Sequence, residues 1–226
     1  MKILLFILLR LLFEPSPKIS ISDEEKALFE KIYIKTCNQE NKLVQYNLFI
    51  PKYKFMQYLA ETKDIIFHGS NNSGIAVFEP RKQTLYNGKL TNAVFGSKDP
   101  IWPIFYAVFN RALLTGNFRN GCVTADGKQY FHFYSIDSET MDKKPWMSGM
   151  VYGIPADSFI HVSKERVQFA EWISLKKVRP TIKLKVDPSD FYYLKNVGKH
   201  NSVESHLKTL FFYKVRKIMK RNSKGN

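Results

Sequence analysis

Residues 65–70 read Ile-Ile-Phe-His-Gly-Ser, an apolar run that ends in three residues able to contact a ligand. The apolar half predicts a short buried strand, and the polar residues that follow to Gly74 predict a loop. At the strand end, the histidine can donate or accept one hydrogen bond at neutral pH. The glycine lets a ligand approach the backbone, and the serine adds a hydroxyl. An ordinary strand-to-loop turn with a solvated histidine has the same composition, so both interpretations stay open at this point.

The residues on either side predict a chain that is helical first and then mostly β. Ala93-Val94-Phe95 predicts a second strand, and Ser97 or Asp99 can cap a helix that runs to about Leu114. That helix is apolar nearly all round, which predicts burial on most sides. The alternation of side chains predicts further strands over residues 130–136, 150–154, 169–175 and 181–186.

Helical extensions are expected at both ends. Ser22 and Glu25 form a capping-box pattern before a helix that reaches about Thr36, and another helix follows Pro51. A helix is also expected from about residue 202 to 220, with an apolar stripe at Leu207, Leu210, Phe211, Val215 and Met219. The order of elements predicts an α+β chain. We expect a helical N-terminal extension over 1–62, a central domain over 63–195, and a basic C-terminal helix and tail over 196–226.

The composition excludes several classes of protein. The 226 residues are 44% hydrophobic and 24% charged, which excludes collagen, a coiled coil and bulk disorder. Aromatic residues reach 15%, so the rings fill a large core or form a stacking surface. Lys and Arg outnumber Asp and Glu by 35 to 20, a net charge of +15. That balance indicates a polyanionic partner or a merely basic, soluble surface.

The spacing of cysteines and histidines indicates no metal site. Cys37 and Cys122 form no C-x-x-C pattern, and the five histidines are not at close ligand spacing. We therefore expect both cysteines to be small core residues and the chain to bind no metal. The sequence also lacks a Walker loop, a G-x-G-x-x-G motif, H-E-x-x-H and G-x-S-x-G.

The N-terminal residues 1–13 are apolar apart from Lys2 and Arg10. This run is too short to span a bilayer, which takes ~20 apolar residues. A signal peptide is one interpretation, although Arg10 interrupts the run and no A-x-A-like cleavage site follows. A packed or peripheral amphipathic helix is the other. We expect a cytoplasmic protein, with secretion as the alternative.

A single acid opens an apolar strand candidate at Glu171-Trp172-Ile173-Ser174-Leu175. A half-buried carboxylate is costly unless it is paired or functional. Glu171 is therefore a candidate catalytic residue, and an edge-strand glutamate that faces water is the alternative.

Three blocks in order resemble the His-Tyr-Glu branch of the ADP-ribosyltransferase fold, which includes diphtheria toxin, the poly(ADP-ribose) polymerases and the tRNA 2′-phosphotransferases. Residues 67–70 look like the H-G-[ST] strand end of that branch. Residues 93–97, with the following helix through Phe105-Tyr106-Ala107, are similar to its second strand and to the helix whose ring stacks on nicotinamide. Residues 171–175 look like the strand with the catalytic glutamate, and the likeness extends over about 64–190. It implies a split, mostly antiparallel sheet around an NAD cleft.

The resemblance also implies roles for individual residues. Glu171 would stabilise the developing oxocarbenium ion, His68 would hold a ribose hydroxyl, and Gly69 would bind the nicotinamide amide through its backbone. Ser70 would assist. The residues expected to contact NAD elsewhere are Arg81 at the pyrophosphate, Phe95, and Phe105 or Tyr106 against the nicotinamide ring. For Arg81, a solvated charge in a loop is the simpler interpretation. Of the two helix rings we expect Tyr106 to face the cleft.

One residue departs from the pattern of the branch. Its middle tyrosine usually lies in the second strand, where this chain has Val94 or Phe95, and neither carries a hydroxyl. The expected function is NAD-dependent transfer of ADP-ribose to a macromolecular acceptor, protein or nucleic acid. The alternatives are a catalytically inert RNA- or nucleotide-binding module on the same fold and a secreted ADP-ribosylating effector. A nucleic-acid acceptor would contact the basic residues Lys214, Arg216, Lys217, Lys220 and Arg221; a solvated face of a packing helix is the simpler interpretation of this group.

Overall fold

The computed structural model describes residues 2–163 and 165–222, with side chains for residues 3–163 and 165–216. Its helices are α1 Lys2–Leu12, α2 Asp23–Cys37, α3 Lys52–Thr62, α4 Trp102–Val108, α5 Ser138–Asp142 and α6 His206–Asn222. Its strands are β1 Glu14–Pro15, β2 Ile65–Ser70, β3 Arg81–Thr84, β4 Leu90–Gly96, β5 Phe118–Thr124, β6 Tyr130–Asp137, β7 Gly149–Pro155, β8 Ile160–His161, β9 Gln168–Phe169, β10 Trp172–Ser174, β11 Ile182–Val186 and β12 Gly198–His200.

The strands form three sheets with mostly antiparallel pairing. One sheet has the order β1-β6-β5-β9, with β12 parallel to β6. The second has the order β3-β4-β10-β8, and the third β11-β7-β2. Together with the helices, these sheets confirm the prediction of an α+β chain.

The N-terminal helices begin where the sequence predicts. Ser22 Oγ accepts the N–H of Glu25 at 3.2 Å, and Glu25 Oε2 accepts the N–H of Ser22 at 2.9 Å, so the capping box is formed. Lys54 of α3 also pairs with Glu25 at 2.5 Å. The cap and the link between α2 and α3 therefore depend on one glutamate.

Helix α4 packs against β2 and β7, two paired strands of one sheet, and is shorter than predicted. Its last residue is Val108, because Phe109 is extended and pairs with Trp146. The Asn110 side chain then accepts the N–H of Ala112 and starts a separate 3-10 turn at Arg111–Leu113. At the other end, Asp99 Oδ1 accepts the N–H groups that begin the helix, as the capping prediction required.

The strand predicted over residues 169–175 is two short strands in different sheets. β9 pairs with β5, whereas β10 pairs with β4 and β8. Between them, Ala170 donates its N–H to Cys122 O, and Glu171 O accepts the N–H of Val162. Glu171 therefore lies where the chain crosses from one sheet to the next.

The packing of α6 differs from the prediction. In α6 the residues of the predicted stripe Leu207, Phe211 and Val215 are 80%, 67% and 44% exposed, and the helix is buried through Thr209 and Tyr213 instead. Helix α1 packs through Leu9, and β1 anchors the segment after it against β6. No helix in the described ranges has the length and hydropathy needed to cross a bilayer.

Candidate functional site

A cleft opens where β2 and β4 separate. Phe67 and Ser97 exchange both backbone hydrogen bonds, at 2.8 and 2.9 Å, and this is the bridge between the two strands. Beyond this bridge, His68 Nδ1 donates to Phe95 O at 2.7 Å, where a continued sheet would have a backbone hydrogen bond. The imidazole thus lies between the separating strands.

The hydrogen bond at Phe95 fixes the tautomer of His68. A carbonyl oxygen only accepts, so Nδ1 carries the proton and Nε2 has a free lone pair. Burial lowers the pKa of His68, which keeps the ring neutral at physiological pH. A neutral imidazole in this tautomer can accept a hydrogen bond from a hydroxyl group through Nε2.

Gly69 is required by the packing of α4. A Cβ on Gly69 would lie 1.8 Å from Pro103 O and 2.9 Å from Ala107 N, so no larger residue fits against the helix. The missing side chain therefore accommodates α4, and the expected approach of a ligand to Gly69 would be to its backbone groups. The backbone N–H and C=O groups of Gly69 have a different orientation from that of its Cβ position. Alternate residues of a strand direct these groups to opposite edges of the strand. Those of Gly69 point to the same edge as those of Phe67, into the cleft.

Most of the predicted site residues line one cavity of about 900 Å³ in this cleft. The predicted residues on its wall are His68, Gly69, Ser70, Arg81, Val94, Phe95, Tyr106 and Glu171. The cavity volume is in the range of small-molecule sites, ~300–1,000 Å³. The structure therefore brings together residues that are about 100 positions apart in the sequence.

Glu171 is the buried acid of the cavity. Its Oε2 accepts the N–H of Tyr86 at 3.2 Å, and the Tyr86 ring stacks on Phe169 at 4.7 Å. Burial raises the pKa of Glu171 to about 7, against the lowering effect of that N–H. The interpretation of Glu171 as a water-facing edge residue is wrong, because the residue is 9% exposed.

Of the two adjacent rings on α4, the structure brings Tyr106 to the cavity. Phe105 points the other way, is fully buried, and lies 4.9 Å from the Tyr134 ring and 5.4 Å from the Phe109 ring. Phe105 is thus a core residue and lies off the cavity wall. The Tyr106 hydroxyl, which we expected to reach ligand or water, donates to Asn120 Oδ1 at 2.9 Å.

Sequence reasoning missed two cations of the cavity. Lys82 follows Arg81 on the exposed strand β3, and Arg111 lies with its guanidinium 5.0 Å from the Tyr106 ring. The positive charges of Arg81 and Arg111 lower the pKa of His68 further. In the sequence, Arg111 is a single arginine after an apolar helix. This pattern is too common to identify Arg111 as a site residue.

The position of the middle motif residue remains without a hydroxyl. In β4, Val94 pairs with Ser174 and Phe95 with Ile173, and both residues line the cavity. Phe95 also supplies the carbonyl that orients His68. Its backbone therefore has a positioning role that does not depend on its side chain.

Lys214 and Arg216, the two residues of the predicted nucleic-acid contact whose side chains are described, are paired within the chain. Lys214 lies 3.0 Å from Glu14 Oε1, and Arg216 contacts Glu204 at 2.5 Å. These ion pairs weaken the case for a nucleic-acid contact at Lys214 and Arg216. The side chains of Lys217, Lys220 and Arg221 lie outside the described residues.

Three residues with no sequence proximity meet away from the cavity. Asp99, Cys122 and His132 are all buried, and one ligand atom of each lies within 4.8 Å of the other two. The residues come from the segment before α4, from β5 and from β6. Spacing along the chain could not reveal this group, because the sheet creates it.

Comparison with known proteins identifies no relative. No protein-family model matches the chain, and neither the curated proteins nor the solved structures contain a match. The functional inference therefore depends on the sequence and the geometry of this chain.

Proposed function

We propose that this chain is an NAD-dependent ADP-ribosyltransferase whose fold is of the split-sheet ADP-ribosyltransferase type. The observation that carries the proposal is the shared cavity of His68 and Glu171, at the point where β2 and β4 separate. A neutral histidine, an open backbone edge at Gly69 and a buried acid are the groups that NAD cleavage of this kind needs. The order of the three blocks in the sequence adds independent support.

Each group has a chemical task in the proposed reaction. The bond between the ribose anomeric carbon and the nicotinamide nitrogen breaks, and nicotinamide leaves with the electron pair. Positive charge then develops on the ribose, as in glycoside cleavage. Ionised Glu171 stabilises that charge, and His68 Nε2 accepts a hydrogen bond from a ribose hydroxyl. The acceptor forms the new bond to the anomeric carbon and loses its proton to water.

Binding would use the remaining groups on the wall. The Gly69 N–H and C=O are oriented to pair with the carboxamide of nicotinamide, and Ser70 adds a hydroxyl beside them. Tyr106 offers a ring for stacking. The cations Arg81, Lys82 and Arg111 are placed to neutralise the pyrophosphate. A cytoplasmic location is part of this proposal and fits the free thiols of Cys37 and Cys122.

One observation favours a second candidate, an inert nucleotide- or RNA-binding module. Phe95 and Val94 provide no hydroxyl at the middle motif position, and the raised pKa of Glu171 leaves part of the carboxyl protonated at neutral pH. Such a module would bind through the cations and the aromatic ring without breaking a bond. Both candidates predict NAD binding, and only the transferase predicts nicotinamide release.

The test measures nicotinamide release from NAD by chromatography and NAD binding by calorimetry on the full chain. We expect release by the parent chain and a loss of ~10²–10³ in rate in Glu171→Gln with binding retained. Glu139→Gln is the matched control, because Glu139 is an exposed acid on α5. Binding without release would support the inert module. Absence of both would refute the NAD assignment.

A further inference from the structure

The Asp99–Cys122–His132 cluster is a group of three buried side chains that the proposed NAD site does not use. Asp99 is 0% exposed, as are Cys122 and His132. Their ligand atoms are an oxygen, a sulfur and a nitrogen within 4.8 Å of one another. Three such atoms converging in a core are unusual, because each side chain loses its hydration there.

One oxygen of the buried Asp99 carboxylate lacks a hydrogen-bond partner within the described part of the chain. Its Oδ1 accepts the N–H of Ile101 at 2.9 Å and that of Trp102 at 2.6 Å. Its Oδ2 has no hydrogen-bond partner among the described residues and lies 3.4 Å from His132 Nε2. A buried charged oxygen is stable only when it is paired or binds a metal. The oxygen that faces the cluster is therefore the unsatisfied one.

We propose that Asp99, Cys122 and His132 bind one divalent zinc ion that has a structural role. Thiolate and imidazole together favour zinc over magnesium or calcium, which prefer oxygen ligands. Tetrahedral bonds of ~2.0–2.1 Å to oxygen and nitrogen place these two atoms ~3.3 Å apart. The observed 3.4 Å between Oδ2 and Nε2 agrees with that separation.

The surroundings of the three ligands fit the proposal. Tyr134 OH lies 3.0 Å from His132 Nδ1, so the ring nitrogen away from the metal can donate to a fixed partner. Ser16 Oγ hydrogen-bonds to Nε2 at 2.8 Å, a contact that the ion would replace, and water can fill the fourth position. Zinc binds the thiolate form of cysteine, so binding at Cys122 releases a proton.

The ion would connect three segments of the fold. His132 belongs to β6 and lies opposite Glu14 of β1, Cys122 belongs to β5, and Asp99 precedes α4. The metal would thus hold the N-terminal segment on the sheet and fix the start of the helix that carries Tyr106. Stabilisation of this kind is independent of the proposed NAD chemistry and holds or fails by its own test.

The test uses cobalt as the probe and a chain with one cysteine. Cys122 is the sole thiol of Cys37→Ala, so a thiolate-to-cobalt charge-transfer band in that variant identifies Cys122 as a ligand. Cobalt is added both to the folded chain and during refolding, because the site is closed. We expect the band to saturate at one equivalent, to disappear on addition of zinc, and to be absent from Cys122→Ala.

A second readout separates a metal site from a metal-free cluster. Zinc added during refolding should remain at one ion per chain after gel filtration and raise the temperature of unfolding in Cys37→Ala, and neither effect should occur in His132→Gln. A folded Cys37→Ala chain with no cobalt band and no retained zinc would overturn the proposal. The cluster would then be a metal-free group of packed and hydrogen-bonded side chains.

Discussion

Replacing Glu171 with glutamine should make the chain more stable at alkaline pH while it removes the proposed activity. The carboxyl is buried and receives one backbone hydrogen bond, from Tyr86. Its pKa is about 7, against 4.5 for an ordinary glutamate. At ~1.4 kcal/mol for each pKa unit, ionising Glu171 in the folded chain costs about 3 kcal/mol. Glutamine has nearly the same shape and carries no charge.

The sign of the effect follows from the two pKa values. Below about pH 4.5 the carboxyl is protonated in both the folded and the unfolded chain, and its ionisation contributes nothing. Between about 4.5 and 7 the unfolded chain releases the proton first, so the folded state loses stability as the pH rises. Above about pH 7 the full penalty is present. The gain from Glu171→Gln should therefore be near zero at about pH 4 and near 3 kcal/mol at about pH 8.5.

Urea unfolding of parent and variant at both pH values measures this gain. Glu139→Gln, in which an exposed acid is removed, corrects for the general effect of losing one negative charge from a basic chain. A gain of ~3 kcal/mol would raise the unfolding temperature by about 6–12 °C in a chain of this size. The same stability difference at both pH values would refute the burial of Glu171 as the cause. Nicotinamide release by the parent should rise with pH through about 7, because the ionised form is the one that stabilises an oxocarbenium ion.

Other substitutions test the cavity wall. His68→Ala should weaken NAD binding and nicotinamide release together, and unchanged release would exclude a role for the imidazole. Tyr106→Ala should weaken nicotinamide binding with a modest loss of stability. Phe105→Ala should lower the free energy of unfolding in urea by ~3–5 kcal/mol and leave binding intact. The reverse result would mean that α4 presents Phe105, and not Tyr106, to the cavity. Gly69→Ala should cost about 3 kcal/mol or more, because its Cβ meets Pro103 O at 1.8 Å. The exposed Gly74→Ala, whose nearest contact is at 3.4 Å, should change stability by under ~0.5 kcal/mol.

Sequence reasoning succeeded where the signal is local. The capping box at Ser22 and Glu25 involves residues three apart, and backbone geometry alone joins them. The alternation over β11 also predicts the observed burial, with Ile182, Leu184 and Val186 inside. The strand end at His68 has a common composition and became a site candidate only through its order with the two blocks that follow it.

The unpredicted features arise from tertiary contacts. Nothing in the sequence around Gly69 indicates that Pro103 will pack against it. The apolar stripe of α6 faces outward because Thr209 and Tyr213 are the residues of this helix that are buried against the rest of the chain. The cluster around Cys122 is a further case, since its ligands lie on three segments. Helical spacing predicts which residues share a face, whereas the fold decides which face is covered.

The break between β9 and β10 explains why Glu171 was ambiguous as a sequence signal and why it can serve as a reactive group. An acid in a continuous strand would alternate outward and be solvated, which the simpler interpretation assumed. Here Ala170 bonds to β5 through Cys122 O, and Trp172 already pairs with Gly96 of β4. The residue between them belongs to neither sheet, so its carboxyl turns into the cavity and loses water without gaining a cationic partner. Because the chain passes from one sheet to the other at Glu171, the carboxyl is buried, which raises its pKa, and it lines the same cleft as His68.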